Sequence, residues 1–135
     1  MDDTIEIRNA LRKDRTIDIV TTGAKTGLPR RTEIWFTNVN GRIFICGTPN
    51  AKGEKGHYSP RDWLANLRAH PDFKFCLKET IQVELQATAI EILDPDDRRY
   101  IMSAPGTKWY RDQVDSVEDL VNESPIVEVF FKDLM

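Results

Sequence analysis

Cysteine and histidine are scarce in this sequence of 135 residues, which contains two of each. The two cysteines, Cys46 and Cys76, are 30 positions apart and form no CxxC pair, which excludes the common zinc-binding motifs. Both lie in apolar, strand-like surroundings. We therefore expect buried, reduced thiols, which are typical of a cytoplasmic protein.

Long apolar runs are also missing. No run approaches the roughly 20 residues that cross a bilayer as a helix, and the charged segment 1–13 lacks the apolar core of a secretory signal. We therefore expect no membrane span. The net charge of −3 and the pI of about 5.4 argue against a nucleic-acid partner held by the whole surface.

The pattern of apolar residues predicts a single, mainly β (α+β) domain over residues 1–135, a barrel of six to seven strands with short flanking helices. Repeats, low-complexity segments and the GxGxxG of a Rossmann fold are absent. Asn40-Gly41 predicts a tight hairpin between two of the strands. The predicted strands are 17–22, 31–38, 42–47, 73–78, 81–92 and 125–131. Helices are predicted within 1–15, from Ser59 to Pro71, after Asp94 and over 115–122.

One segment stands out in this acidic chain, the basic loop of residues 21–31, TTGAKTGLPRR. It carries Lys25, Arg30 and Arg31 beside two glycines, between two predicted strands. Backbone N–H groups in a glycine-rich turn can converge on an anion, and the cations and threonine hydroxyls add further donors. The loop therefore predicts a phosphate or carboxylate site. The alternative interpretation is a solvated hairpin turn.

Two further segments carry aromatic residues in polar surroundings. Trp63 heads the predicted helix after residue 59, where it either packs in the core or forms the wall of a planar cofactor pocket. Asn66, nearly one turn later, either lies on the surface or ties down backbone groups of a neighbouring loop. Trp109 and Tyr110 either cover the barrel mouth as a lid or plug the core.

Taken in order, the stretches VTTGAKTGLPRR, EIWF, NGRIFICG, DWLANLRAHPDFKF and ELQATAIEILDPDDR resemble the deazaflavin-dependent nitroreductase family. This family belongs to the split β-barrel flavin and deazaflavin oxidoreductases, and the resemblance extends over residues 17–131. It implies a split, FMN-binding-like barrel that binds coenzyme F-420, a 5-deazaflavin with a phosphate and a polyglutamate tail. It also implies hydride transfer to a small electrophilic or conjugated substrate of nitro, quinone or enone type. The implied assembly is a homodimer, for which the strand 81–92 offers an apolar face.

The resemblance also implies roles for individual residues. Those on the phosphate side of the cofactor are Lys25, Thr26, Gly27, Arg30 and Arg31. The residues along the edge of the ring are Thr32, Glu33, Ile34 and Trp35, with backbone contacts from Cys46, Gly47 and Thr48. Trp63 closes the pocket, Trp109 and Tyr110 contact substrate, and Tyr110 is the candidate proton donor. No metal ligand is implied.

One position departs from the family pattern. The family loop commonly reads Gly-Arg-Lys-Ser/Thr-Gly, and Ala24 stands at the arginine position here. Losing one charged hydrogen bond costs roughly 1.5–3 kcal/mol of binding unless another group compensates, and Arg31 is the candidate compensator. The departure leaves room for an FMN-binding oxidoreductase or a non-catalytic cofactor- or ligand-binding protein, and the basic loop also allows a nucleic-acid-binding barrel. The net charge argues against the last of these.

Overall fold

The computed structural model describes residues 2–48 and 62–132. Its strands are β1 (Thr16–Thr22), β2 (Pro29–Trp35), β3 (Thr37–Val39), β4 (Arg42–Cys46), β5 (Asp72–Leu77), β6 (Val83–Glu91) and β7 (Ile126–Phe131). Its α-helices are α1 (Asp2–Lys13), α2 (Asp62–Ala69), α3 (Pro95–Met102), α4 (Lys108–Arg111) and α5 (Val117–Glu123), with a 3-10 turn at Pro105–Thr107. None of the helices in these ranges is long and apolar enough to span a membrane.

The seven strands form one antiparallel sheet in the order β2-β1-β5-β6-β7-β4-β3. The two outermost strands, β2 and β3, are consecutive in the chain, and only Phe36 separates them. One residue spans less than 4 Å, so the sheet must curl until its two edges meet at this point. The result is a split β-barrel, which confirms the predicted fold class. We call the gap where β2 approaches β4 the seam.

At Phe36 the chain passes from one edge strand of the sheet, β2, to the other, β3. This crossing explains why the strand predicted over 31–38 was wrong. The sequence predicted a single strand over 31–38, whereas the structure has β2 ending at Trp35 and β3 starting at Thr37. Phe36 is 4% exposed, its N–H donates to the Arg15 carbonyl (2.9 Å), and its ring packs edge-on against Phe75 at 5.3 Å. Burial of this ring fixes the point where the chain changes edges.

Two apolar cores lie on the two faces of the sheet. The inner core fills the barrel with alternate strand residues and with the apolar faces of α1 and α2. The outer core lies between the strands β3, β4 and β7 and the helices α3 to α5, and it includes Phe44, Ile101, Met102, Tyr110 and Leu120. Leu85 and Ala87 of β6 belong to the inner core, so the face of strand 81–92 predicted to support a dimer is instead internal.

Short sequence motifs correctly predicted a hairpin turn and the start of a helix. Asn40 (φ 53°) and Gly41 (φ 91°) form the predicted hairpin turn between β3 and β4, and both positions need positive φ. Asp94 caps α3 by accepting from the Asp97 N–H at 2.9 Å, with Pro95 as the first helical residue. The predicted cap at Ser59 and the start at Pro60 lie outside the described residues.

Two buried or half-buried arginines join the outer layer to the sheet. Arg98 is 7% exposed and donates to backbone carbonyls of Ile92, Val121 and Ser124, which ties α3 to the end of α5. Arg42 makes paired hydrogen bonds of 2.8–3.1 Å to Asp97 and to Glu128. These contacts hold α3 against β4 and β7.

Candidate functional site

The turn of the basic loop, residues 23–28, is ordered by its own hydrogen bonds. The Gly23 N–H donates to the Leu28 carbonyl at 2.8 Å, and the Gly27 N–H donates to the Gly23 carbonyl at 2.9 Å. Gly27 has a φ of 72°, which favours glycine, and the Thr26 hydroxyl accepts from the Leu28 N–H at 3.1 Å. This defined turn presents the exposed Lys25 to solvent.

Asn66 of α2 anchors the basic loop to the body of the protein. Its Oδ1 accepts from the Ala24 N–H at 2.8 Å, and its Nδ2 donates to the Thr21 hydroxyl at 3.1 Å. Asn66 is 6% exposed and Thr21 is 1% exposed, so both groups are shielded from water. This geometry confirms the interpretation that Asn66 ties down the backbone of a neighbouring loop.

Arg30 and Arg31 lie on opposite faces of the sheet. In the register of β1 and β2, Arg30 pairs with the buried Thr21 and Arg31 with Val20, and adjacent residues of a strand alternate between faces. Arg31 donates to Asp18 at 2.8 Å on the outer face. The Asp18 carboxyl has a lowered pKa, mainly through its hydrogen bond from Lys78 and also through Arg31.

The structure therefore divides the predicted phosphate-side residues. Lys25, Thr26, Gly27 and Arg30 remain together around the turn, and the guanidinium of Arg31 is bonded on the other face. The role of Arg31 as a compensator for Ala24 stays a prediction.

Strand β2 presents an open edge to the seam. Among the described strands it pairs with β1 alone, on one side. Backbone groups on its other side, within the segment Thr32, Glu33, Ile34 and Trp35, therefore face the seam without a strand partner. The seven residues Pro29–Trp35 extend about 20 Å from the turn of the basic loop to the far end of the strand.

An aromatic cluster stands at that far end. The rings of Trp35 and Trp109 meet edge to face, with centroids 5.1 Å apart, and those of Trp109 and Tyr110 do so at 5.3 Å. The guanidinium of Arg15 lies over the Trp35 ring, 4.2 Å from its centroid. Trp109 is 42% exposed, whereas Tyr110 is 5% exposed and packs in the outer core. A lid role for Trp109 stays a prediction.

Tyr110 links the aromatic cluster to the end of β4. Its hydroxyl donates to the Cys46 carbonyl at 3.3 Å, and burial raises the pKa of the Tyr110 hydroxyl well above its usual range. Burial also raises the pKa of the Cys46 thiol to about 12, which fits the predicted buried, reduced cysteine. A proton-donor role for Tyr110 requires that its hydrogen bond open first, and that role stays a prediction.

Gly47 makes a close approach at the end of β4. Its N–H donates to the Pro125 carbonyl at 3.0 Å, and a Cβ at this position would lie 2.9 Å from the Pro125 ring. The segment Cys46–Thr48 is thereby fixed beside β7. Cofactor contacts by these residues stay a prediction.

Trp63 lies in the inner core, where it is 7% exposed. The sequence left two alternatives for Trp63, packing in the core or forming the wall of a cofactor pocket, and the structure shows core packing. Exposed or half-buried indole surface near the seam comes instead from Trp35 and Trp109. A cofactor contact by Trp63 stays a prediction.

The sequence predicted the Thr21 hydroxyl as a donor to the anion, and this was wrong. Thr21 continues the alternation of Ile17 and Ile19, so it points inward, where its buried hydroxyl accepts from Asn66. Sequence reasoning missed Arg15. Arg15 precedes β1 in a charged segment, and no local pattern marks its contact with Trp35. Among residues 2–48 and 62–132, no group of three or more metal-ligating side chains is positioned to hold a metal ion.

A sequence model of the F420H(2)-dependent quinone reductase family matches residues 4–117. The chain belongs to this family. Its members are oxidoreductases that depend on reduced coenzyme F-420, so F-420 is the cofactor to test against the site. No curated protein matches the chain at a significant level.

Solved structures show the same split barrel at low sequence identity. The conserved hypothetical protein Rv2991 from Mycobacterium tuberculosis is 18% identical, with a TM-score of 0.65 over 95% of this chain and 79% of that one. A protein of the pyridoxinephosphate oxidase family from Clostridium acetobutylicum, related to general stress protein 26 of B. subtilis, is 12% identical. Its TM-score is 0.68 over 97% and 84% of the two chains. A chain described as a domain-swapped dimer is 18% identical, with a TM-score of 0.54 over 96% and 95%.

The described residues fit the chemistry of F-420 at both ends. The cofactor has an anionic tail and a planar ring with polar edges. The basic loop offers the exposed cations Lys25 and Arg30 and a glycine of positive φ, and the open edge of β2 has backbone donors and acceptors that suit a ring with polar edges.

Proposed function

We propose that the protein uses reduced F-420, bound along the seam, to reduce small conjugated electrophiles of quinone, nitro or enone type. One observation carries this proposal: the open edge of β2 connects a cationic turn to an exposed aromatic cluster about 20 Å away. An extended ligand with an anionic tail at one end and a conjugated ring at the other matches that order of groups.

At the tail end, we propose that Lys25 and Arg30 bind the phosphate together with the N–H groups of the turn. Asn66 holds the Ala24 backbone, so the turn keeps its shape before the ligand arrives. Such preorganisation lowers the entropy cost of binding. Because Arg31 points to the other face of the sheet and Arg30 to the same face as Thr21, we assign the compensation for Ala24 chiefly to Arg30.

At the ring end, backbone groups of Thr32–Trp35 and Cys46–Thr48 would orient the ring. When bound, the reduced deazaflavin supplies the hydride. Tyr110 holds the Cys46 carbonyl, and the indole of Trp109 covers one side and limits the access of water. We propose that Trp109 also contacts the substrate, because it is the most exposed ring of the aromatic cluster.

A fluorescence titration with oxidised F-420 tests the proposal, run beside FMN. The double variant Lys25→Ala/Arg30→Ala should bind F-420 at least about 100-fold more weakly, since it loses two charge-assisted contacts. The matched control Arg12→Ala/Lys13→Ala removes the same charge from the exposed end of α1 and should leave the affinity unchanged. A screen of quinone, nitro and enone acceptors with reduced F-420 follows.

The other outcomes each support a different function. Tight FMN binding without an F-420 response favours the flavin alternative, with Ala24 as the first residue to restore to arginine. F-420 binding without reduction of any acceptor favours a non-catalytic binding protein. Binding of neither cofactor contradicts the proposed site.

We also propose a homodimer in the cytoplasm. A structural neighbour described as a domain-swapped dimer supports the assembly, and the buried thiols support the compartment. Ile90 and Phe130, 54% and 46% exposed, lie on the outer side of β6 and β7 and give a candidate contact surface. Light scattering should report a dimer that Phe130→Glu weakens, and a wild-type monomer would contradict the proposal.

A further inference from the structure

Arg15 places a positive charge beside the aromatic cluster. Its guanidinium lies over Trp35, and in the described parts of the chain no carboxylate lies within 4.0 Å of it. Several other arginines are each paired with a carboxylate: Arg31, Arg42, Arg68 and Arg99. Arg15 therefore keeps a charge that a ligand can use.

The backbone of Arg15 is fixed at both ends. Its N–H and that of Thr16 donate to the same Glu79 carboxylate oxygen, at 2.9 and 2.6 Å. Its carbonyl accepts from the Phe36 N–H at 2.9 Å. These bonds also lower the pKa of Glu79, so the carboxylate holds Arg15 at neutral pH. The side chain thus starts from a defined point where the two sheet edges meet.

The side chain of Arg15 is exposed while its guanidinium lies over the Trp35 ring, so its N–H groups are accessible to a ligand. Trp109, 42% exposed, stands edge to face with the same indole. The charge of Arg15 also reaches the buried Tyr110, whose raised pKa it partly offsets. One cation and the rings around it therefore form a single surface.

We propose that Arg15 binds the oxygen of the conjugated acceptor and stabilises the negative charge that develops there during reduction. This inference rests on the proposed function. In the step, the acceptor gains a hydride from reduced F-420, and the displaced π electron pair moves to the acceptor oxygen. That oxygen then takes a proton from water, and the cofactor is left oxidised with release of the balancing proton. Donors that face such an oxygen act on the transition state more than on the ground state.

A binding experiment tests Arg15 without the cofactor. Tryptophan fluorescence is titrated with 2-hydroxy-1,4-naphthoquinone, which is anionic at neutral pH and mimics the charged oxygen, and with neutral menadione. Arg15→Gln should weaken binding of the anionic quinone about tenfold, and that of menadione less than about twofold. Arg15→Lys should recover only part of the loss, since lysine keeps the charge and loses the forked donors of the guanidinium. Arg12→Gln is the matched control, because Arg12 is an exposed arginine at the end of α1.

A kinetic experiment completes the test. With reduced F-420 and menadione, Arg15→Gln should lower kcat about tenfold, with a smaller change in KM and an unchanged affinity for F-420. Equal binding of the anionic quinone by wild type and Arg15→Gln would overturn the inference, as would an unchanged kcat. If the wild type neither binds F-420 nor reduces menadione, the proposed function fails, whereas the fluorescence titration still decides whether Arg15 recognises an anionic oxygen.

Discussion

Replacing Asn66 by alanine tests whether α2 holds the basic loop in its binding shape. The change removes the acceptor of the Ala24 N–H and the donor to the Thr21 hydroxyl, at 2.8 and 3.1 Å. Ala24 is exposed, so water replaces its lost partner, but Thr21 is 1% exposed and its hydroxyl is left unsatisfied. We expect a loss of about 2–3 kcal/mol in the free energy of unfolding. This corresponds to about 8 °C in Tm for a domain of this size.

The same variant should bind F-420 roughly tenfold more weakly, because the turn is no longer held before the ligand arrives. Urea denaturation measures the stability, and fluorescence titration measures the affinity. Asn122→Ala is the control, since Asn122 is an exposed asparagine on α5, and it should change stability by less than about 0.5 kcal/mol.

A double variant separates the two effects. Thr21→Val with Asn66→Leu replaces both buried partners by apolar groups of similar shape, so most of the lost stability should return. The Ala24 N–H still lacks its anchor, so the affinity for F-420 should stay low. Restored affinity in the double variant, or an Asn66→Ala protein that binds F-420 within about twofold of wild type, would refute the reasoning.

Three further predictions concern single residues. Gly27→Ala should lower the free energy of unfolding by about 1 kcal/mol, as measured by urea denaturation. The cause is the φ of 72° alone, because no atom lies within 4 Å of a Cβ at this position. Gly27→Asn should lower it less, since asparagine tolerates positive φ better than alanine. Because burial raises the pKa of Cys46 from 9.0 to about 12, stability that is present below pH 9 should be lost as the pH rises toward 12. In Cys46→Ala the stability should fall less between pH 9 and 12. An equal fall in the variant would contradict Cys46 as the group responsible. Arg42→Met should lower the free energy of unfolding by about 2 kcal/mol near pH 7, because it leaves the buried Glu128 without its counter-ion. The partial exposure of Arg42 keeps this loss moderate. Urea denaturation measures this loss of stability. An equally large loss in Arg42→Lys, which keeps the positive charge, would argue against a charge effect.

The fold was predictable where a signal is local. Asn40-Gly41 specifies its hairpin through backbone conformation, and Asp94-Pro95 specifies a helix start through capping. The break at Phe36 is different, because the segment around it has the composition of one continuous strand. Only the meeting of β2 with the far edge of the sheet requires two strands there. That requirement is tertiary, and no window of the sequence contains it.

The candidate site divides in the same way. The motif of the basic loop predicted Lys25 and Gly27 together, and the structure keeps them in one turn. The opposite directions of Arg30 and Arg31 follow from strand alternation once the register with β1 is known, which the motif alone does not give. Arg15 is 20 positions before Trp35 and meets it only because β1 and β2 pair as a hairpin.

The crossing at Phe36 has a mechanical consequence for the seam. Because one buried residue joins the two edges, they cannot separate at that end without breaking the inner core. As far as residues 2–48 and 62–132 determine it, the seam opens from its other end, with Phe36 as the pivot. A rotation of about 6° around this pivot displaces the other end of β2, some 20 Å away, by about 2 Å. If F-420 binds along the seam as proposed, its anionic tail lies at the end of the seam that moves most, and its ring lies at the end held by Phe36.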